Sequence, residues 1–403
     1  MNKIIKWLAI ASLACGIRNS TIPQTDFSSE MQQNSTETTV VTASTSSEVL
    51  PIRAKSAYLM DYGTQTVLYS KNEETHLPIA SMCKIMTLIL SFDAIDQGYL
   101  DMNEEIPVSE KAASMGGSQV FLEANANYCV HELIKSIVVC SANDSCVAMA
   151  EKIAGSEALF VDKMNEKAKE LGANNTLFAN CTGLPKEPQY SCAKDVSVML
   201  KELLSHEEYY EFGKVWLDKF QHPKGRYTEI TNTNKLIRFY EGCDGGKTGF
   251  TNEAGFCLAA TAKRKDMRII AVVIGEESSA NRFEDIKGMF DYAFSNYTTV
   301  PIIEANVPLE ESLNINGGKK KSVSVCAERS AYAFSKKGEK GNYTTQISFG
   351  KLSAPIKKGE RVGELIVFKD GMEIERIPLI ASEDIKKASF FDRLKEIARA
   401  WNS

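Results

Sequence analysis

Three short motifs, far apart along the chain, constrain its fold more than any other feature: Ser81-Met82-Cys83-Lys84, Ser141-Ala142-Asn143 and Lys247-Thr248-Gly249. A hydroxyl and an amine three residues apart on a helix share one face, so the amine of Lys84 can take the proton of Ser81. Ser141 and Asn143 add a second hydroxyl and an amide. Lys247 and Thr248 add a cation and a hydroxyl suited to a carboxylate. A fold that uses all three must bring a helix start, a tight segment and a strand to one place. Singly the motifs mean little: Ser-x-x-Lys recurs at Ser191-Cys192-Ala193-Lys194 and Ser348-Phe349-Gly350-Lys351, and Ser-x-Asn at Ser279-Ala280-Asn281 and Ser312-Leu313-Asn314. Alone, Ser81 would be a helix N-cap, Asn143 a turn residue and Lys247 an exposed strand lysine. Context separates them, because Ser81 opens the apolar run Ile85-Met86-Thr87-Leu88-Ile89-Leu90 and Lys-Thr-Gly occurs once, ahead of a strand.

The chemistry that such a set permits is acyl transfer. Ser81 Oγ attacks a carbonyl and forms an ester, and Lys84 accepts the serine proton and returns it to the departing amine. A helix N-terminus at Ser81 offers a backbone N–H to an oxyanion, and its positive end disfavours the protonated form of Lys84. Ser141 is placed to relay protons, and Asn143 to hydrogen-bond Lys84 or a substrate amide. Lys247 and Thr248 fit a substrate carboxylate, and Gly249 leaves the strand edge open for a substrate to lie alongside. The backbone N–H groups of Ser81 and Phe250 form the expected oxyanion hole, whose donors are typically worth about 3 kcal/mol each. The four histidines are dispersed with no metal-ligand spacing, and neither a metal nor another cofactor is expected.

The motifs, with Ala80 to Thr87, Met115-Gly116-Gly117-Ser118-Gln119, Phe178-Ala179-Asn180-Cys181-Thr182-Gly183-Leu184, Asn232-Thr233-Asn234-Lys235-Leu236 and Asp244 to Thr251, resemble the serine D-alanyl-D-alanine carboxypeptidases of the low-molecular-weight penicillin-binding type, peptidase family S11. The likeness spans about residues 54–297, and residues from Ala354-Pro355-Ile356-Lys357-Lys358-Gly359 onward resemble the family's C-terminal β domain and its membrane-associating helix. It implies an α/β (α+β) fold of the serine β-lactamase/DD-peptidase kind, an antiparallel sheet flanked by helices with a mostly helical insertion carrying Ser141. It also implies peptidoglycan stem peptides ending in D-Ala-D-Ala as substrate and β-lactams as inhibitors. Cys83 and Cys192 depart from the family's usual small or hydroxyl residues, and Cys83 raises the expectation of sensitivity to thiol reagents. A class A β-lactamase would need a loop glutamate between the second and third motifs, which the sequence does not suggest. A non-catalytic wall-binding scaffold would be signalled by loss of Ser81, Lys84 or Lys247, and all three are present. Strict transpeptidation uses the same residues.

The rest of the chain sorts into five expected segments. Residues 1–18 read as an export signal, with a basic start and the apolar run 7–17. Ser12-Leu13-Ala14-Cys15 is similar to a lipoprotein cleavage box, although serine replaces the usual leucine. Residues 19–48, rich in Ser, Thr and Gln, read as a disordered tether. Residues 49–298 form the expected catalytic domain, with strands at 54–61 and 66–70, a helix from Ser81, helices at 130–139, 146–154 and 156–171, strands at 255–261 and 268–274, and a closing helix at 281–294. Residues 299–381 carry short alternating runs broken by Gly, Lys and Asn, as a small all-β domain does. Residues 382–403 read as a basic amphipathic helix, with Ile385, Phe390, Phe391, Leu394, Ile397, Ala398 and Trp401 near one face, a candidate for a membrane surface. The expected place of such a protein is the outer face of a bacterial cytoplasmic membrane and the cell wall. A net charge of −5 argues against nucleic acid as a partner, and the ten cysteines read as mostly free, buried thiols.

Overall fold

The computed structural model describes residues 50–339 and 341–392. The expected export signal, Cys15 and the tether lie outside the described residues, as does the second half of the expected terminal helix, 393–403. Among the described residues no helix is long and apolar enough to cross a membrane.

A five-stranded antiparallel sheet organises the first part. Its strands are β1 (Ser56–Asp61), β2 (Val67–Lys71), β3 (Cys243–Thr251), β4 (Gly255–Arg264) and β5 (Met267–Glu276), in the order β2-β1-β5-β4-β3. The third motif therefore lies on an edge strand. Alternation along β5 shows why the sheet needs cover on both faces: Ile270, Val272 and Ile274 join one hydrophobic cluster, and Ile269, Ala271 and Val273 join the other. The second face is closed by α6 (Ser279–Asn296) through Ile286, Met289 and Phe290. Ser278 caps that helix by accepting from the Asn281 N–H at 3.1 Å.

The first face is covered by helices built around α1 (Lys84–Asp96), which is apolar nearly all round, with Ile85, Met86, Leu88, Ile89 and Phe92 buried. Packed against it are α2 (Val130–Val139), α3 (Asn143–Ala154), α4 (Glu157–Glu170) and α5 (Ala193–Leu203). Two helix starts differ from the sequence expectation. Ser81 lies in a 3₁₀ turn, Ala80–Cys83, and the α-helix proper begins at Lys84. The helix after the second motif begins at Asn143 rather than 146, where the Asn143 N–H donates to the Ser118 carbonyl at 2.7 Å. There the Asp144 carboxylate accepts from the N–H groups of Val120 and Leu122 at 3.0 and 3.1 Å.

From Tyr297 to Ala381 the described residues form no helix and are built of strands and turns. A two-stranded ribbon joins Tyr297–Ile303 to Ala331–Lys336, and a six-stranded sheet is centred on Arg361–Lys369, Met372–Ala381 and Ser322–Ala327. Residues 382–389 correct the expectation of a helix over the whole of 382–403. Ile385 exchanges backbone hydrogen bonds with Ile356 and is buried in the β-domain core, so it is not part of an amphipathic helical face. A helix starts only at Phe390, after Ser389, whose Oγ accepts from the Asp392 N–H at 3.2 Å. Phe390 and Phe391 are both exposed there.

Candidate active site

The nucleophile turn is held by its neighbours rather than by its own sequence. Ala80 adopts φ +46°, placing Ser81 at the start of the 3₁₀ turn. Lys84 is completely buried, and its Nζ lies 2.9 Å from Ser81 Oγ and 2.6 Å from the Thr182 carbonyl. The segment supplying that carbonyl is fastened alongside the helix start. The Cys83 thiol donates to the Asn180 carbonyl at 3.2 Å, and the Thr87 hydroxyl to the Cys181 carbonyl at 2.7 Å. Asn180 Oδ1 in turn accepts from the N–H groups of Thr182 and Gly183 at 3.1 and 2.7 Å. Gly183 has φ +80°, and a Cβ there would sit 2.0 Å from the Ala80 carbonyl oxygen.

The second motif lies in the turn between α2 and α3. Ser141 has φ +67°, and its Oγ is buried with no hydrogen-bond partner among the described residues. A buried hydroxyl left unpaired is costly, so this one calls for an explanation. Asn143 is buried and its Nδ2 donates to the Gly116 carbonyl at 2.7 Å. The second hydrogen bond of Lys84 goes to the Thr182 carbonyl, so of the two roles open to Asn143, Lys84 or a substrate amide, the second is the one left.

The third motif runs along edge strand β3. Lys247 is no exposed strand lysine: it is almost completely buried. Burial, reinforced by the nearby charge of Lys84, pushes its ammonium down to about 7. Thr248 Oγ1 donates to Thr233 Oγ1 at 2.7 Å, and the Thr233 N–H donates to the Val139 carbonyl at 3.0 Å, which ties the sheet edge to α2. Gly249 does more than leave an edge open. A Cβ there would stand 2.5 Å from the Ile79 carbonyl oxygen and 3.3 Å from the Ser81 nitrogen, so its bareness lets the strand lie against the nucleophile turn. The carbonyl of Gly249 accepts from Arg282 Nη1 at 3.2 Å. Phe250 follows, half exposed, with its ring stacked on Phe256 at 4.3 Å.

This arrangement joins a buried amine to a serine hydroxyl and sets a buried cation on a strand edge pressed against the same turn. The profile of the D-alanyl-D-alanine carboxypeptidases matches residues 40–278, more than half of the chain. The chain belongs to that family, peptidase S11. The profile of the penicillin-binding protein 5 C-terminal domain matches residues 297–387. Among curated relatives, D-alanyl-D-alanine carboxypeptidase DacF of Bacillus subtilis (strain 168) is 44% identical over 350 residues, covering 86% of this chain and 90% of the relative. The solved penicillin-binding protein 5 of Haemophilus influenzae superposes with a TM-score of 0.66 at 28% identity, over 83% of this chain and 98% of that one. Penicillin-binding protein D2 of Listeria monocytogenes, solved in an ampicillin-bound form, gives 0.55 at 29% identity, over 60% and 98% of the two chains.

Within this S11 carboxypeptidase four features escape a reading of the triplets. They are the Thr182 carbonyl, the bare Cα of Gly183, the Thr233 hydroxyl and the Arg282 guanidinium. Thr182, Gly183 and Thr233 fall in stretches that the family resemblance already marks, but a side-chain inventory gives a carbonyl or a missing Cβ no role. The nine described cysteines are all unpaired. Cys83 is fully buried and its thiol is pushed far up by burial, which disfavours the reactive thiolate.

Proposed function

We propose that this member of the carboxypeptidase family removes the terminal D-alanine from peptidoglycan stem peptides ending in D-Ala-D-Ala, through an acyl-enzyme on Ser81. The contact that carries the reading is the 2.9 Å approach of Lys84 Nζ to Ser81 Oγ. With Lys84 neutral, this is the path along which the serine proton leaves as Oγ attacks the penultimate D-Ala carbonyl. The oxygen of the tetrahedral intermediate takes hydrogen bonds from the N–H groups of Ser81 and Phe250. The proton passes by way of Ser141 to the departing D-alanine nitrogen, and the C–N bond breaks. A water then attacks the ester with Lys84 as base, which regenerates Ser81 and releases the shortened peptide.

The substrate lies along the edge of β3 at Gly249, Asn143 holds a substrate amide, and the terminal carboxylate is held by Lys247 and Thr248. The buried state of Lys247 supports this role. An ammonium that burial disfavours gains most from an arriving carboxylate. The same constellation accepts a β-lactam, whose carboxylate and strained amide take the places of the D-Ala terminus. We further propose an exported protein on the outer face of the membrane, held there by the segment that begins at the exposed Phe390 and Phe391.

The test is D-alanine release from a stem pentapeptide by the purified protein beside Ser81→Ala and Lys84→Ala. Release by the wild type and its loss in both variants, with penicillin labelling lost in Ser81→Ala, is the expected result. A folded wild type that neither releases D-alanine nor forms a penicillin adduct would overturn the reading.

A further inference from the structure

The C-terminal end of α1 holds a second cluster, nine residues along the helix from Lys84 and so roughly 13 Å away from it. Asp93 and Asp96 project from α1, Glu202 from the last turn of α5, and His206 lies just past that helix. One ligand atom from each of Asp93, Glu202 and His206 falls within 4.8 Å of the other two. The His206 side chain is only 6% exposed, and its ring stacks on Phe92 at 5.5 Å, which fixes its plane. Its Nδ1 lies 2.8 Å from Asp96 Oδ2. A carboxylate only accepts, so Nδ1 carries the hydrogen, and in the neutral ring Nε2 carries the lone pair. That Nε2 is buried, has no hydrogen-bond partner among the described residues, and lies 3.6 Å from Asp93 Oδ1. An imidazole turned by a carboxylate so that its free nitrogen faces two more carboxylates is the arrangement in which a metal-binding histidine is held.

We propose that Asp93, Glu202 and His206 bind one divalent first-row cation of the zinc type, with Asp96 as the orienting residue. One nitrogen and two carboxylate oxygens suit Zn²⁺ with water in a fourth position, whereas Mg²⁺ takes oxygen ligands only. The ammonium of Lys167 now stands between the carboxylates, 3.0 Å from Asp93 and 3.2 Å from Glu202. It satisfies their charge but gives Nε2 no hydrogen bond. Lys167 and Asp93 line a cleft of about 310 Å³ whose wall also carries Glu166 and Glu170, so the ammonium has acidic neighbours to move toward when the ion enters. The bound ion ties the far end of α1 to α5, and α1 is the helix whose first residue is Lys84. Its effect is on the stability of that helix, by mass action, and on no chemical step.

The experiment is calorimetric titration of chelator-treated full-length protein with Zn²⁺, repeated with Co²⁺ while recording visible absorption. One ion per chain with a micromolar or tighter Kd is expected, together with weak d–d bands and no thiolate charge-transfer band. His206→Asn keeps a donor for Asp96 but removes Nε2, and should weaken binding at least tenfold. Lys167→Ala removes the competing ammonium and should tighten it several-fold. Failure of both wild type and Lys167→Ala to bind would overturn the proposal, as would binding that His206→Asn leaves unchanged or a thiolate band with Co²⁺. Should circular dichroism show His206→Asn unfolded, Glu202→Gln is judged by the same tenfold criterion.

Discussion

Replacing Lys247 by methionine should make this protein more stable and inactive, with the gain in stability confined to pH values below about 10. Methionine fills nearly the same volume, so the change removes the charge and leaves the packing. The lysine is fully buried, and its ammonium is pushed from the ordinary 10.5 to about 7. At 1.36 kcal/mol per pH unit, that fall corresponds to about 5 kcal/mol by which the folded state disfavours the charged form. The sign follows from proton counting. Between pH 7 and 10.5 the unfolded chain holds the proton and the folded chain does not, so wild-type stability rises with pH. The penalty is therefore complete below pH 7, shrinks by about 1.4 kcal/mol per unit above it, and vanishes near the unfolded value. Guanidinium unfolding of wild type and Lys247→Met at pH 6, 8 and 10 reads it directly. A gain of several kcal/mol at pH 6 that has nearly gone by pH 10 is expected. An equal gain at both ends, or a loss at pH 6, would refute the reasoning. Activity supplies the complementary sign: if Lys247 must carry its proton to hold the carboxylate, kcat/KM of the wild type falls as pH rises through about 7.

Three further outcomes can be checked. Gly183→Ala combines a left-handed backbone with a Cβ only 2.0 Å from the Ala80 carbonyl oxygen, so it should cost about 3 kcal/mol or more in chemical denaturation and slow penicillin acylation sharply. Thr233→Val frees the Thr248 hydroxyl from its 2.7 Å partner, so KM for a D-Ala-D-Ala peptide should rise roughly five- to tenfold, about 1 kcal/mol, with little change in melting temperature; an unchanged KM would remove Thr233 from carboxylate binding. Native-state labelling with a disulfide reagent should modify Cys129, which is half-buried, well before Cys83, and mapping of early label to Cys83 would contradict its sealed environment.

The sequence makes the local parts of this site legible and hides the non-local ones. Ser81 and Lys84 are one helical turn apart, and the apolar run after them marks a buried helix, so their meeting follows from spacing alone. The strands at 255–276 are equally plain, since both are apolar runs around the turn Arg264-Lys265-Asp266. The second partner of Lys84 is a different case. The Thr182 carbonyl lies 98 residues away, and every residue has a carbonyl, so nothing in the residue type distinguishes this one. The burial of Lys247 is hidden for a related reason: glycines and a threonine around it lower the apolar count of a strand that the fold nonetheless covers. The hairpin Leu217–Gln221 with Tyr227–Thr231 is missed because each strand buries a single side chain, Phe220 or Ile230. Ile385 misleads by a shared pattern. An apolar residue at that position satisfies a helical face and a β-bridge equally, and only its bond to Ile356 decides.

The two serine hydroxyls of the proposed proton path have one thing in common that explains their readiness. A serine at the start of a helix ordinarily spends its oxygen on a backbone N–H two or three residues ahead. Neither serine does so here: Ser81 Oγ accepts from Lys84 Nζ, and Ser141 Oγ has no hydrogen-bond partner among the described residues. Ala80 and Ser141 sit at φ +46° and +67°, a left-handed conformation that costs a non-glycine residue about 1–2 kcal/mol. That cost is carried by the fully buried neighbours Met82, Ile85, Ala142, Cys146 and Val147, of which a side chain the size of Val or Met contributes about 1.5–3 kcal/mol on burial. Hydrophobic packing thus holds two strained residues in place, one directly before Ser81 and the other Ser141 itself. Ser81 Oγ is left for Lys84, and Ser141 Oγ is left unpaired among the described residues.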